Sequence, residues 1–489
     1  MTVPCKYHVI IVGCGMAGMS AANTLAGKGL DILIIDENLH AGGQLIRKVP
    51  KKAPWFPRME PDGMKKKGFS LAQRVKGQCR KTTIPSGQGM ERLIQAQVLG
   101  IFSENRLLIQ TFSPDKGESM VEVQADHLIL ATGARERYLP FKGWDLPGVI
   151  SLGAAQILIK SHGVLPARET LIAGSSPLQM VLATELLANG GRVSALLDEN
   201  TLKKKLSFLP HIKNHWPKLL EGGFHMGKMA LARTPMEQGV RIVEACGKER
   251  LESVIVAKTN FKGCVIRGTE TTWPTRSLAM GYGFVPNIEL PVQAGCDVSY
   301  DKDKGGWVIQ VDDHLETSVP SVYAAGEITG IAGAKKSHVE GKLVALSILE
   351  KQGKMDQAGV TDGKDSLQRE YRRLISQRRR QMDYGSFLND LCRVPSSAYA
   401  AIPDDTIICR CEEITMGHIK KSIGQGFHTT VGLKKATRCG MGRCQGRICG
   451  PVIFDVITAL TRKKPENIGA SHTRAPVKNV GVNAFLNSL

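Results

Sequence analysis

The segment Gly13-Cys-Gly15-Met-Ala-Gly18 constrains this chain more than any other feature. It follows the β-branched run His-Val-Ile-Ile-Val at residues 8–12 and opens a stretch of small and apolar residues at helical spacing over residues 16–27. The run before it suits a strand buried on both faces. A first glycine permits the tight turn, a second lets a pyrophosphate approach the backbone, and a third lets the helix pack close to the strand. The helix N-terminus then offers amide donors and a positive dipole to phosphate. A second buried strand is expected at residues 31–35, with Asp36 at its end to accept from ribose hydroxyls. Strand, helix and strand make a βαβ unit that binds a dinucleotide through Gly13, Gly15, Gly18 and Asp36.

Residues 9–27 carry no charge, as a membrane span or signal-peptide core would. The glycines and alanines at nucleotide-binding spacing decide against that. No integral membrane segment is expected, and the free-thiol usage described below suits the cytoplasm.

At 489 residues the chain is too long for one ordinary core. A weak internal repeat of the first unit is expected as a strand at 169–173, a helix at 177–188 and a strand at 192–197. Its turn, Gly174-Ser-Ser176-Pro-Leu-Gln179, keeps only the first glycine, and Asp198 takes the ribose-acid position. Ser176 and Gln179 crowd a pyrophosphate and loosen the helix packing. Two readings stand: a site for a second nucleotide, NAD(P) or ATP, or a structural domain, which the lost glycines favour.

Three further segments argue for FAD at the first unit. Gly42-Gly43-Gln44 lies just past Asp36, Thr132-Gly133 ends a buried strand at 127–131, and Gly326-Glu327 closes the run Ser-Val-Tyr-Ala-Ala. Together with the first turn they resemble the two-dinucleotide-binding-domain flavoproteins, an α/β, Rossmann-like architecture. In those proteins the last motif ends Gly-Asp and its acid bonds the ribityl chain; Glu327 is one methylene longer. Disulfide reductases of that superfamily carry C-x4-C after the Gly-Gly turn or C-x2-C in the second domain. This chain has neither, so thiol–disulfide chemistry is not expected. His338 follows the Gly326-Glu327 motif and is read as a satisfied helix-start histidine, and no catalytic residue is assigned.

Of the 12 cysteines, the last five cluster as Cys409-Arg-Cys411, then Cys439, Cys444 and Cys449. The other seven are scattered singly and read as small hydrophobes. Four thiolates around a [2Fe–2S] core leave negative charge, which Lys434, Lys435, Arg438, Arg443 and Arg447 can offset. Structural zinc is the rival, although zinc sites favour cysteine pairs two to four residues apart. The spacing alone does not choose between Cys439 and Cys449, because 439/444 and 444/449 are equally far apart.

A formal charge of +20 comes partly from a basic run over residues 47–81 and from Arg372, Arg373, Arg378, Arg379 and Arg380. These are read first as solvated faces and second as docking for an acidic subunit. No aromatic ladder or recognition helix accompanies them, so nucleic acid is not expected.

The phrase Gly-Met-Gly-Arg-Cys444-Gln-Gly-Arg-Ile-Cys449 resembles the bacterioferritin-associated-ferredoxin-type [2Fe–2S] domain. That resemblance implies Cys409, Cys411, Cys444 and Cys449 as ligands, with Cys439 an extra thiol. Flavin body, degenerate second domain and this module, along with Gly281-Tyr-Gly-Phe-Val-Pro-Asn, resemble the α (or A) subunits of opine oxidases, hydrogen cyanide synthase and proline, hydroxyproline or sarcosine dehydrogenases. The resemblance implies FAD, a [2Fe–2S] cluster, a β subunit with a flavin amino-acid-oxidase fold, and a small ferredoxin-like subunit. The expected activity is electron transfer within a dehydrogenase of an amino acid or secondary amine. An NAD(P)H-dependent flavin reductase and a structural subunit with vestigial sites are the alternatives. The expected organisation is an FAD domain at 1–140 and 280–350, a second nucleotide-type domain at 141–279, a helical linker at 351–403, the [2Fe–2S] domain at 404–465 and a polar tail at 466–489.

Overall fold

The computed structural model describes residues 5–46, 63–82, 85–113, 117–206, 216–260, 263–353 and 363–487. The first turn joins the strand Cys5–Val12 to the helix Met16–Leu25, and the strand Ile32–Asp36 follows, buried along its whole length. Residues 9–12 pair in parallel with 32–35 on one side and 127–130 on the other. They sit mid-way in an eight-stranded sheet ordered 80–82, 90–94, 32–36, 5–12, 117–130, 106–113 and 96–102, with Val322–Ala324 also on Gly117–Leu130. The C-terminal ends of the parallel strands therefore meet at the Gly13 turn, where such sheets bind ligands.

Within the excursion after Gly42, a helix Gly63–Gln78 buries Leu71 and Val75 against the first core. Its Lys66, Lys67, Arg74 and Lys76 are exposed, as a solvated basic face would be. The part of the basic run at 47–62, like most of the linker at 354–362, lies outside the described residues.

The repeat forms a second, five-stranded parallel sheet, ordered 236–238, 192–198, 169–174, 278–281 and 149–151. The apolar stretch over 278–286 forms two strands rather than one. Leu278–Gly281 stays in the second sheet, and the return is made by Phe284–Pro286, antiparallel to Ala134–Glu136. A turn separates two short apolar runs that read as one in the sequence.

The helix Gly363–Cys392 runs 30 residues inside the stretch expected as a helical linker, and packs on the helix Ala334–Lys351. The cysteine module is a short hairpin, Ile407–Cys409 with Ile414–Thr415, followed by helices Met416–Gly424, Thr430–Thr437 and Cys449–Thr461. Its Ile408, Met416, Ile453 and Phe454 share one core with Trp144, Leu171, Val256 and Tyr282 of the second domain. The module is thus built into the body. The tail is not merely polar chain, because Val477 and Ala484 are buried. Among the described residues no helix is long and apolar enough to cross a membrane.

Candidate functional site

The first glycine turn is tight where it must be and open where a ligand would arrive. Gly13 has φ +106, and a Cβ there would lie 2.3 Å from the carbonyl oxygen of Ala131. One at Gly18 would lie 1.9 Å from the carbonyl oxygen of Gly13. Both overlaps are with backbone, so no rotamer change relieves them. Gly15 differs: nothing lies within 4 Å of a Cβ built there, and the residue is partly exposed. The helix Met16–Leu25 has no side-chain cap, which leaves its first amides for phosphate oxygens. Asp36 is buried; its Oδ2 accepts from the Cys14 amide (2.6 Å) and its Oδ1 from the Asn38 amide (2.7 Å). The Gly42 amide donates to the Cys14 carbonyl (2.8 Å), laying the Gly42-Gly43 turn on the first turn, while Gln44 is exposed.

Asn287 holds the Thr132-Gly133 segment. Thr132 Oγ1 donates to the Asn287 carbonyl (2.7 Å), and Asn287 Nδ2 donates to the Thr132 carbonyl (3.0 Å). Glu327 turns back onto its own loop, accepting from the amides of Ala332 (3.1 Å) and Gly333 (2.8 Å) and from Ser337 Oγ (3.2 Å). Any bond to a ribityl hydroxyl has to coexist with these. Burial pushes the Glu327 carboxyl up. Behind Gly326 lies an ionic knot. Its amide donates to Glu340 Oε2 (2.8 Å), and Glu340 is paired with Lys336 (2.9 Å) and Arg378 (2.7 Å). Against the upward push of burial, the two cations hold the Glu340 carboxyl below its ordinary range. Arg378 thus leaves the solvated run in which the sequence placed it, because Glu340 needs a second partner inside. Arg373, paired with Glu370, stays on the exposed face. His338 is buried in the helix Ala334–Lys351 rather than satisfied at its start, and its Nδ1 has no partner.

The second turn keeps the geometry of the first glycine and loses the opening. A Cβ at Gly174 would meet the Gly281 carbonyl oxygen at 2.1 Å, yet Ser175 and Ser176 are each only 4 % exposed. What covers them is the end of the helix Gly363–Cys392 and the residues after it. Ser175 Oγ donates to the Cys392 carbonyl (3.1 Å), and Lys204 Nζ reaches the Leu391 carbonyl (3.4 Å). Asp198 is tied to Lys205 (2.6 Å) and to the Asn200 amide (2.8 Å). Gln179 is buried with its Nε2 unpartnered.

The five C-terminal thiols converge. Sγ atoms of Cys409, Cys439 and Cys449, all buried, lie within 4.8 Å of one another. Cys439 is therefore inside the group rather than beside it. Hydrogen bonds from Cys439 and Cys449 hold the Cys409 thiol far below the ordinary thiol range. Hydrogen bonding to Cys449 holds Cys444 at about 5, with Cys411 also bonded to it. Cys409 ends a strand, Cys439 follows the left-handed cap Arg438, and Cys449 opens a helix. The other three thiols, Cys411, Cys439 and Cys449, are pushed up by hydrogen bonds shared with these two and by burial. Converging sulfurs without a disulfide are the donor set of a thiolate metal or iron–sulfur centre.

The cage faces the flavin body. Arg135, three residues past Thr132, donates from Nε to the Arg447 carbonyl (2.7 Å) and pairs with Glu289 (2.7 Å). Arg137 pairs with Asp455 (2.6 Å), and Trp144 Nε1 donates to the Ile407 carbonyl (2.6 Å). Sequence reasoning passed over Arg135 and Arg137, although both lie directly after the Thr132-Gly133 motif.

Residues 7–345 match the family described as pyridine nucleotide-disulphide oxidoreductase. The chain belongs to this family. Residues 407–459 match the BFD-like [2Fe-2S] binding domain. An opine oxidase subunit from Rhizobium meliloti is 30% identical over 97% of this chain and 86% of its own. Hydrogen cyanide synthase subunit HcnB of Pseudomonas aeruginosa is 30% identical over 98% of both chains. A crystal structure of L-proline dehydrogenase from P. horikoshii superposes with a TM-score of 0.64 at 18% identity, covering 98% of this chain and 79% of the other, a likeness of fold.

This member of the family is an FAD-dependent oxidoreductase subunit that carries a [2Fe–2S] domain. The residues present fit both groups: an open, uncapped glycine turn with a buried acid for FAD, and converging thiols for the cluster. Burial pushes Cys79 up to about 11 and Cys14 higher still, so neither ionises readily.

Proposed function

We propose that this chain is the electron-relaying subunit of a hetero-oligomeric dehydrogenase acting on an amino acid or secondary amine of proline, hydroxyproline, sarcosine, glycine or opine type. Its partners are a β subunit with an amino-acid-oxidase flavin fold and a small ferredoxin-like chain, in the cytoplasm. The observation that carries the reading is the Arg135 bridge, which ties the Thr132-Gly133 segment directly to the loop between Cys444 and Cys449. FAD takes electrons in pairs, whereas an iron–sulfur centre passes them singly.

The chain's own residues hold the two sites in fixed register. Gly13, Gly15, Gly18 and Asp36 bind the dinucleotide, with Gly42, Gly43 and Gln44 flanking it. Thr132, Gly133, Gly326 and Glu327 frame the flavin end. Cys409, Cys411, Cys444 and Cys449 serve as the four thiolates. Cys449 is favoured over Cys439 because the phrase Gly-Met-Gly-Arg-Cys444-Gln-Gly-Arg-Ile-Cys449 resembles the ligand motif of the BFD-like [2Fe-2S] domain. Cys439 is the fifth, reserve thiol.

Two experiments test this. Substrate added with the co-purified partner chains should bleach the flavin and then produce the reduced cluster's EPR signal. If low NADH alone bleaches the isolated subunit faster, the relay reading gives way to a self-sufficient reductase. The covered second turn weighs against that outcome. Cys449→Ser should abolish the EPR signal and Cys439→Ser keep it; the reverse pattern moves the ligand to Cys439.

A further inference from the structure

The C-terminal tail crosses from the cysteine cage to the acid end of the first dinucleotide turn. Arg447, between Cys444 and Cys449, donates from Nη1 to the Cys444 carbonyl (3.2 Å) and from Nη2 to the Val477 carbonyl (2.5 Å). The Val477 amide donates to the Leu99 carbonyl (2.7 Å), adding the tail to the edge strand Ala96–Phe102. Val477 is buried in the core of the first sheet with Val98, Leu93 and Val12. The next residue, Lys478, is half-buried and ion-paired with Glu37; burial pushes its ammonium down, against the opposing charge of Asp36. Farther on, Ala484 is fully buried and Asn487 Nδ2 donates to the Glu118 carbonyl (2.8 Å).

Asp36 and Glu37 follow one another at the end of the strand where a dinucleotide's adenosine half is received, Asp36 buried and Glu37 exposed. Asp36 is useful there, because it accepts from ribose hydroxyls. Glu37 adds a second negative charge at the same strand end, and like charges disfavour the approach of an anionic dinucleotide. A cation brought in from the tail cancels that charge.

We propose that the segment from Val477 onward is a strap closing the adenosine side of the FAD site, and that Lys478 is its FAD-positioning residue. Lys478 neutralises Glu37 and faces the ribose end beside Asp36. Arg447 anchors the same strap at the cage, so retention of FAD depends on a segment that starts at the cluster loop. This goes beyond the relay reading and does not depend on it.

The test is FAD affinity, read by flavin fluorescence quenching when FAD is titrated into full-length protein stripped of flavin. Lys478→Met should weaken FAD about tenfold, Lys478→Arg should restore it to within about threefold, and Glu37→Gln combined with Lys478→Met should recover most of the loss. Cluster absorbance and EPR should be unchanged in all three, showing that the cage still forms. An FAD dissociation constant within twofold of wild type in Lys478→Met overturns the proposal. So does a loss in Lys478→Met that neither Lys478→Arg nor the added Glu37→Gln reverses. Chain termination after Arg474 is the second measurement. It should weaken FAD more than Lys478→Met does, and unchanged affinity there also overturns the strap.

Discussion

The two glycine turns share one backbone device and differ in what stands over them. Both enter a helix from a parallel strand, and both first glycines abut a neighbouring carbonyl that excludes any side chain. At the first turn Gly15 faces open space; at the second Ser175 and Ser176 are buried beneath Leu391 and Cys392. The second turn keeps only the first of the three glycines, and the end of the chain's own long helix lies against it. The second unit is also the seat on which the cysteine module docks, through Trp144 and Tyr282 in a shared core.

The largest effect should come from the ion pairs that back the two turns. Glu340→Ala leaves Lys336 buried without its partner and removes the acceptor of the Gly326 amide. Breaking a buried pair on one side costs about 3–5 kcal/mol. Urea unfolding should show that loss, and the purified protein should be depleted of FAD. Glu199→Ala likewise strands Arg241, itself 6 % exposed, in the second unit. It should lower stability yet leave FAD content unchanged. If both variants lose FAD alike, the two units are not separable and the comparison fails.

Gly18→Ala sets a methyl 1.9 Å from the Gly13 carbonyl oxygen, so helix and strand must part. Overpacking of this kind costs ~1–3 kcal/mol, and here it falls on the geometry that receives phosphate. FAD affinity should drop roughly a hundredfold, near the upper end of that range. Gln179→Ala, at the matching position of the second turn, should leave FAD affinity within twofold. Equilibrium titration of each apoprotein decides it.

Acid should act unequally too. The first unit is backed by His338, whose carbonyl accepts from Ser20 Oγ (2.8 Å). Burial, with Lys67 and Lys342 nearby, pushes its imidazole down to about 4. In the unfolded chain it titrates near the ordinary value of about 6.5. Between those values the unfolded state binds a proton that the fold refuses. Stability is therefore complete above about pH 6.5 and falls as pH drops toward 4, by about 3 kcal/mol. The second unit's His225 keeps a bond to Thr184 Oγ1 (2.9 Å) that His338 Nδ1 lacks. His338→Gln should flatten the dependence of the urea midpoint on pH over this window more than His225→Gln does.

Most of the first unit was legible because its constraints are local. Gly13, Gly15, Gly18 and Asp36 lie within one βαβ span, and the strands flanking them are continuous apolar runs. The thiols were legible as a set, but not their grouping, since Cys439 joins Cys409 and Cys449 only through the fold of the intervening helices. Arg378, Arg135 and Lys478 were illegible for another reason. Each is a surface-type residue whose partner is distant in sequence: Glu340, the Arg447 carbonyl and Glu37. Charge counting reads such residues as solvated. Nothing local shows that a long helix ends over Ser175, either.

That last contact sets the smallest and most discriminating prediction. Ser176→Gly with Gln179→Gly restores the three-glycine pattern of the second turn. On composition alone, nicotinamide binding should return. Leu391 and Cys392 still lie across the turn, however, and Lys205 still holds Asp198 where a ribose would be received. NADH binding should therefore change by less than about twofold, measured by titration calorimetry, because a pocket already filled by its own chain cannot use the new backbone freedom. A gain of tenfold or more would mean that the glycines, and not the covering helix, closed the second site.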